Sequence, residues 1–115
     1  MFVTNQGGAH GRFTRAIKTR NLFMAELALR EMGSPSLLEV LDYLELLAVT
    51  KPQKMEPAAI RWHGRLELEA RMMTLEESQL ALAALASLCA GDREAVEILR
   101  RLVRRVKPTL TRRIG

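Results

Sequence analysis

Apolar residues return at helical spacing along most of the chain. From Gly11 onward, Phe13, Ala16, Ile17, Met24 and Ala28 recur at that spacing, and Phe23 and Leu27 widen the face. This pattern predicts a helix from about Arg12 to Met32. Asn21 offers an alternative, as the cap of a second, shorter helix, and Gly33 is placed to stop the run. Ser34-Pro35 and the box Ser36-Leu37-Leu38-Glu39 then mark a new N-terminus. The Ser36 hydroxyl can accept a backbone N–H, Glu39 can reach back to the cap, and Pro35 lacks an N–H where a first turn has no use for one. The helix they start runs to about Thr50, with Leu37, Leu41, Leu44, Leu47 and Ala48 as its apolar stripe and Glu39, Asp42 and Glu45 along another side.

After a loop at Lys51 to Glu56, Pro57 is suited to open a third helix, in which Ala59, Trp62, His63, Leu66 and Ala70 share a face. Thr74-Leu75-Glu76-Glu77 is a second capping box. The helix that follows, to about Ala90, is apolar on nearly every side through Leu75, Leu80, Leu82, Leu85 and Leu88, which predicts the central helix of a bundle. Gly91-Asp92 separates it from a last helix that turns Ala95, Ile98, Leu99, Leu102, Val103 and Val106 inward and ends at Pro108.

The expected fold is all-α: a compact bundle of about five helices with short connections and antiparallel neighbours. The two capping boxes lie 38 residues apart, each on a helix preceded by another. Two similar αα-hairpins plus a basic C-terminal helix would give this echo, and so would any two capped, leucine-rich helices. Residues 1–11, with Gly7-Gly8 and no periodicity, are expected to form a flexible arm. Residues 12–107 form one helical domain, and residues 108–115 a basic tail.

Several stretches resemble small uncharacterised all-helical proteins of actinobacteria. They are Gly11-Arg12-Phe13-Thr14-Arg15-Ala16, Ala25-Glu26-Leu27-Ala28-Leu29-Arg30-Glu31-Met32-Gly33, Ser36-Leu37-Leu38-Glu39 and Arg61-Trp62. The resemblance covers roughly Gly11 to Val106. It implies a compact helical fold and carries no activity or site residues.

Composition agrees with helices: 14 Ala and 19 Leu against 10 Val plus Ile, with 4% aromatics in 115 residues. One cysteine, Cys89, excludes an internal disulfide framework. The first residues lack the basic start and apolar stretch of a signal peptide, and the run Leu80 to Ala90 is too short to span a bilayer. A cytoplasmic protein is the expectation.

Charge changes the picture more. The net charge is +5, and it is unevenly placed: +4 over residues 1–20, −4 over 21–50 and +5 over 92–115. Arg100, Arg101, Arg104, Arg105, Lys107, Arg112 and Arg113 occur with no acid among them. Basic residues suit a last helical turn, where they offset the helix dipole. A row of like charges four apart is also strained, and phosphate would relieve it because the arginine fork donates two hydrogen bonds at once. Arg12 and Arg15, beside the glycine-rich arm, resemble the arm-plus-helix arrangements that grip DNA backbones. Whether the two basic ends converge is not written in the sequence.

Leu22 to Val49 imitates a helix-turn-helix around Gly33-Ser34-Pro35. Its second helix would bring Glu39, Asp42 and Glu45 to phosphates, and that sign of charge rejects it as a recognition helix. The same acids could meet a basic protein partner, including the arginine-rich helix of a second copy.

The inventory of reactive groups is thin. His10, His63 and Cys89 form no nucleophile–base pair at helical spacing. His63 and Glu67 are one turn apart, but no HExxH, CxxC or His–His spacing accompanies them, so no metal and no other cofactor is expected. Gly7-Gly8-x-x-Gly11 is not a phosphate loop. The last helix has amphipathic period but no Trp or Phe to enter a lipid surface. The expectation is a non-enzymatic protein binding DNA or RNA through phosphate contacts of Arg12, Arg15, Arg100, Arg101, Arg104, Arg105, Lys107, Arg112 and Arg113. The alternative is a protein-interaction module or homo-oligomer using Glu39, Asp42 and Glu45.

Overall fold

A computed structural model of the chain describes residues 8–107. Among the described residues there are six α-helices and no strand. They are α1 (Ala9–Lys18), α2 (Leu22–Met32), α3 (Leu37–Thr50), α4 (Met55–Glu69), α5 (Leu75–Cys89) and α6 (Ala95–Val106), with a short helical turn at Pro52–Lys54 leading into α4.

The helix beyond the expected five arises because the predicted run Arg12 to Met32 breaks after Lys18. Arg20 takes φ +58°. The N–H groups of Arg20 and Asn21 return to the carbonyls of Ile17 (3.2 Å) and Ala16 (2.9 Å), a Schellman closure. Asn21 then caps α2 by accepting the Met24 N–H at 3.1 Å, so the cap alternative is the one the chain adopts. α5 ends in the same way, but with a glycine in the left-handed position. Gly91 has φ +108°, and the N–H groups of Gly91 and Asp92 return to Leu88 (3.0 Å) and Ser87 (2.9 Å). At the start, α1 already includes residues 9–11, which corrects the expected arm boundary. Residues 1–7 of that arm and the tail 108–115 lie outside the described residues.

Both capping boxes form. Ser36 Oγ accepts the Glu39 N–H at 3.1 Å and Glu39 accepts the Ser36 N–H at 2.8 Å. Thr74 and Glu77 do the same at 3.1 and 2.9 Å. These bonds satisfy orphan donors of the first turns, so the start of α3 and of α5 is fixed locally.

The central helix is α3, not α5. α3 packs against each of the other five described helices. Leu37, Leu41, Leu44 and Leu47 are buried in a core shared with α4, α5 and α6, while Leu46 points into a smaller core with Phe13, Ala16, Ala25 and Ala28 of α1 and α2. In α5, by contrast, Ser78, Ala81, Ala84, Leu85 and Leu88 face inward, and Leu75 stands 77% exposed, with Leu80 and Leu82 also outside. Leucines all around a helix do not by themselves place it at the centre. The small inner residues of α5 let one face approach its neighbours and leave the large ones out.

α4 buries Ala59, Trp62, Leu66 and the adjoining Ala70 as expected, and Trp62 Nε1 donates to the Leu37 carbonyl at 3.0 Å, tying α4 to the first turn of α3. α6 buries Ala95, Val96, Leu99, Leu102, Val103 and Val106. Ile98, expected inside, is exposed. This inward stripe decides where the arginines of α6 point. No helix among the described residues is long and apolar enough to cross a membrane.

Candidate nucleic-acid interface

The stripe Leu99-Leu102-Val103-Val106 divides the α6 arginines into two sets. Arg100 lies at the edge facing α3. Its Nη2 donates to Asp42 at 2.7 Å and Glu45 at 2.9 Å, and its Nη1 to Glu97 at 2.6 Å. Burial works against the charge on Arg100, but the hydrogen bonds to Asp42, Glu45 and Glu97 outweigh it and its pKa moves upward. Arg93 adds a second cation to Glu45 at 3.6 Å. Arg105 pairs with Glu77 of α5, and Lys107 with Glu69 of α4. Glu69 also takes the Arg65 Nε–H at 2.5 Å. The Lys107 bond, strengthened by Arg65 and opposed by burial, holds the Glu69 carboxyl below its ordinary pKa.

Arg101 and Arg104 differ from these neighbours. Both are exposed, three positions apart on one side of α6, and neither has a carboxylate partner among the described residues. Two guanidinium groups at this spacing can meet successive anionic groups without breaking any bond of the fold.

At the other end of the chain, Arg12 pairs with Glu31. Arg15, Lys18 and Arg20 are exposed and have no carboxylate partner among the described residues. Arg12 and Arg15 line a hollow of about 180 Å³ with Ala16, Thr19, Asn21 and Met24. Arg20 and Arg93 line one hollow together with Asp42 and Glu45 of α3. Arg112 and Arg113 fall outside the described residues.

The three acids of α3 are engaged within the chain. Asp42 and Glu45 hold Arg100, and Glu39 holds the Ser36 N–H and His10 (2.9 Å). Burial raises the Glu39 pKa, but the Ser36 N–H and His10 outweigh it, and it sits below the ordinary carboxylate value. An acidic α3 face does meet an arginine-rich α6, within one chain.

A polar cluster that sequence spacing half revealed joins α4 to α5. His63 Nε2 lies 3.1 Å from Ser78 Oγ and 3.3 Å from the Ser78 carbonyl, and Ser78 Oγ donates to Glu67. Because the serine proton is given to Glu67 and the carbonyl can only accept, Nε2 must carry the hydrogen. It is a donor here and cannot serve as a base toward Ser78, so these three side chains form a brace between helices. Ser78 comes from another helix than His63, and no spacing rule would have found it. Cys89 is half-buried, and its thiol pKa is raised by burial and by the nearby Glu56. That makes it a poor nucleophile. Tyr43 donates to Glu26 at 2.8 Å, and its pKa is pushed to about 12 by burial and then by that carboxylate. Among the described residues no three His, Cys, Asp or Glu side chains cluster as a metal site would require.

Comparison with protein-family models, curated proteins and solved structures gives no match to this chain.

Proposed function

We propose that the chain is a non-enzymatic, cytoplasmic nucleic-acid-binding protein that holds phosphates with Arg101 and Arg104 of α6 and with the basic end of α1. The observation that carries this reading is the contrast within one helix: Arg100, Arg105 and Lys107 are tied to carboxylates, whereas Arg101 and Arg104 stand exposed without one among the described residues. Arg15, Lys18 and Arg20 supply further unpaired cations, and Arg112 and Arg113 extend the same basic run in sequence. Contacts of this kind position a protein on a backbone and carry little base preference. The thin aromatic content argues against stacking as the source of affinity. The single thiol suits a reducing compartment.

Titration of fluorescent duplex DNA and single-stranded RNA at several salt concentrations tests this. Each phosphate contact to duplex DNA contributes about −0.9 to the slope of log K against log salt. Arg101→Gln with Arg104→Gln should therefore flatten the slope by about 2. An unchanged slope removes these two residues from the site, and no binding at low salt to either nucleic acid refutes the proposal. The protein-interaction alternative through Glu39, Asp42 and Glu45 has less support, because all three acids have partners inside the chain.

A further inference from the structure

α2, α3 and α4 meet around an open hollow of about 190 Å³. Leu29 of α2, Val40 and Leu44 of α3, and Ala58 of α4 give it apolar walls. Tyr43 and Trp62 add their rings, and the polar tips of both rings are used inside the chain. Tyr43 donates to Glu26, and Trp62 Nε1 donates to the Leu37 carbonyl. An apolar cavity of about 150 Å³ holds benzene, so this hollow has room for one aromatic ring and a short arm.

The charged residues that line the hollow are both cations. Arg61 and Arg65 stand four positions apart on α4, which places them on one side of the helix. Arg61 is exposed and has no ion-pair partner among the described residues. Arg65 meets Glu69 through its Nε, at 2.5 Å, which leaves its Nη donors. Burial and Glu26 raise the Tyr43 pKa and Arg61 opposes them, so its guanidinium lies toward the Tyr43 side of the hollow. Glu26 and Glu69 are both engaged, one by the Tyr43 hydroxyl and the other by Arg65 and Lys107. Like charges one turn apart repel. A carboxylate between two guanidinium groups relieves that repulsion and accepts charge-assisted hydrogen bonds from each.

We propose that this hollow binds a small aromatic carboxylate, its ring against Leu29, Val40, Leu44 and Tyr43 and its carboxylate between Arg61 and Arg65. The volume and the apolar walls select the ring. The two cations, with no acid among the lining residues, select a single anionic head. A few placed polar groups at the edge of an apolar pocket fix a ligand's orientation in this way. The site shares no residue with the α6 arginines, and the proposal does not depend on nucleic-acid binding.

Hydrocinnamate, one ring on a two-carbon arm, is the probe. Trp62 is the only tryptophan of the chain and lines the hollow, so its emission and its indole N–H resonance report on the site. Both should change saturably as the full chain is titrated at fixed ionic strength, with half-saturation at about 1 mM for a ligand of this size. Acetate lacks the ring and hydrocinnamyl alcohol lacks the charge, and each should bind at least about tenfold more weakly. Arg61→Gln should leave the thermal melt unchanged, because the side chain is exposed, and weaken hydrocinnamate about tenfold. No saturable change in either signal overturns the proposal. So does binding that Arg61→Gln leaves unaltered, or an alcohol that binds as tightly as the carboxylate.

Discussion

Arg100→Met tests whether α6 is fastened to α3 by charge as well as by packing. Methionine keeps an unbranched apolar stem and removes the guanidinium. The arginine side chain is 17% exposed, and its acceptors Asp42, Glu45 and Glu97 are 39%, 27% and 57% exposed. Breaking a fully buried pair costs about 3–5 kcal/mol, because a charge is left without its partner. An exposed pair is worth about 0.2–1 kcal/mol. The Arg100 network lies between these limits, and solvent screening of the half-exposed carboxylates moves it toward the lower one. The expected loss is about 2 kcal/mol, part of it from Asp42 and Glu45 repelling each other once the cation is gone. Urea unfolding reads this directly. With an m-value of about 1–3 kcal/mol/M, the midpoint should fall by about 1 M. A double-mutant cycle with Glu45→Gln should give a coupling of about 1 kcal/mol. Arg101→Met, on the exposed side of the same helix, should stay within about 0.5 kcal/mol of the wild type. A loss below about 0.5 kcal/mol for Arg100→Met, or no coupling to Glu45, would refute the argument.

Trp62→Phe removes the donor to the Leu37 carbonyl and part of a buried ring. A loss of about 2 kcal/mol is expected from these two effects, and a thermal melt unchanged from the wild type would contradict it. Gly91→Ala forces a side chain into φ +108°. It should destabilise by at least about 1 kcal/mol although its Cβ has open space, and neutral behaviour in the same melt would show that the turn relaxes. Lys107→Gln should lower stability at neutral pH, because Lys107 holds the Glu69 pKa below its ordinary value. That contribution is present above the unfolded carboxylate pKa and is lost as pH falls through the folded one. Urea midpoints of variant and wild type should therefore differ at neutral pH and converge once the pH has fallen through the lowered Glu69 pKa. A gap that persists in acid would assign the effect to packing.

The parts of the fold that depend on neighbouring residues were legible in the sequence. Ser36–Glu39 and Thr74–Glu77 form the boxes their spacing announces, Asn21 caps where its side chain allows, and the buried faces of α3 and α4 follow the period. What depended on contacts across the fold was not legible. α5 is as leucine-rich as α3, yet Leu75 and Leu82 point outward because the packing face of α5 is its alanine side. The same limit applies to the arginines of the candidate site. Arg100 and Arg101 are adjacent and identical in type, but Arg100 is 58 residues from Asp42 in sequence and bonded to it in space. Spacing along α6 cannot tell a fastening arginine from an exposed one. Only the position of α3 does so, and it separates the arginine cluster into ties and candidate contacts. Ser78 was missed because its partners, His63 and Glu67, come from another helix.

The salt dependence of duplex DNA binding tests the central claim most directly, compared between the wild type and the Arg101→Gln, Arg104→Gln double variant. The account predicts saturable binding by the wild type that weakens with salt, and a slope about 2 smaller in magnitude for the variant. Equal slopes for the two proteins, or no binding by the wild type at low salt, would contradict it.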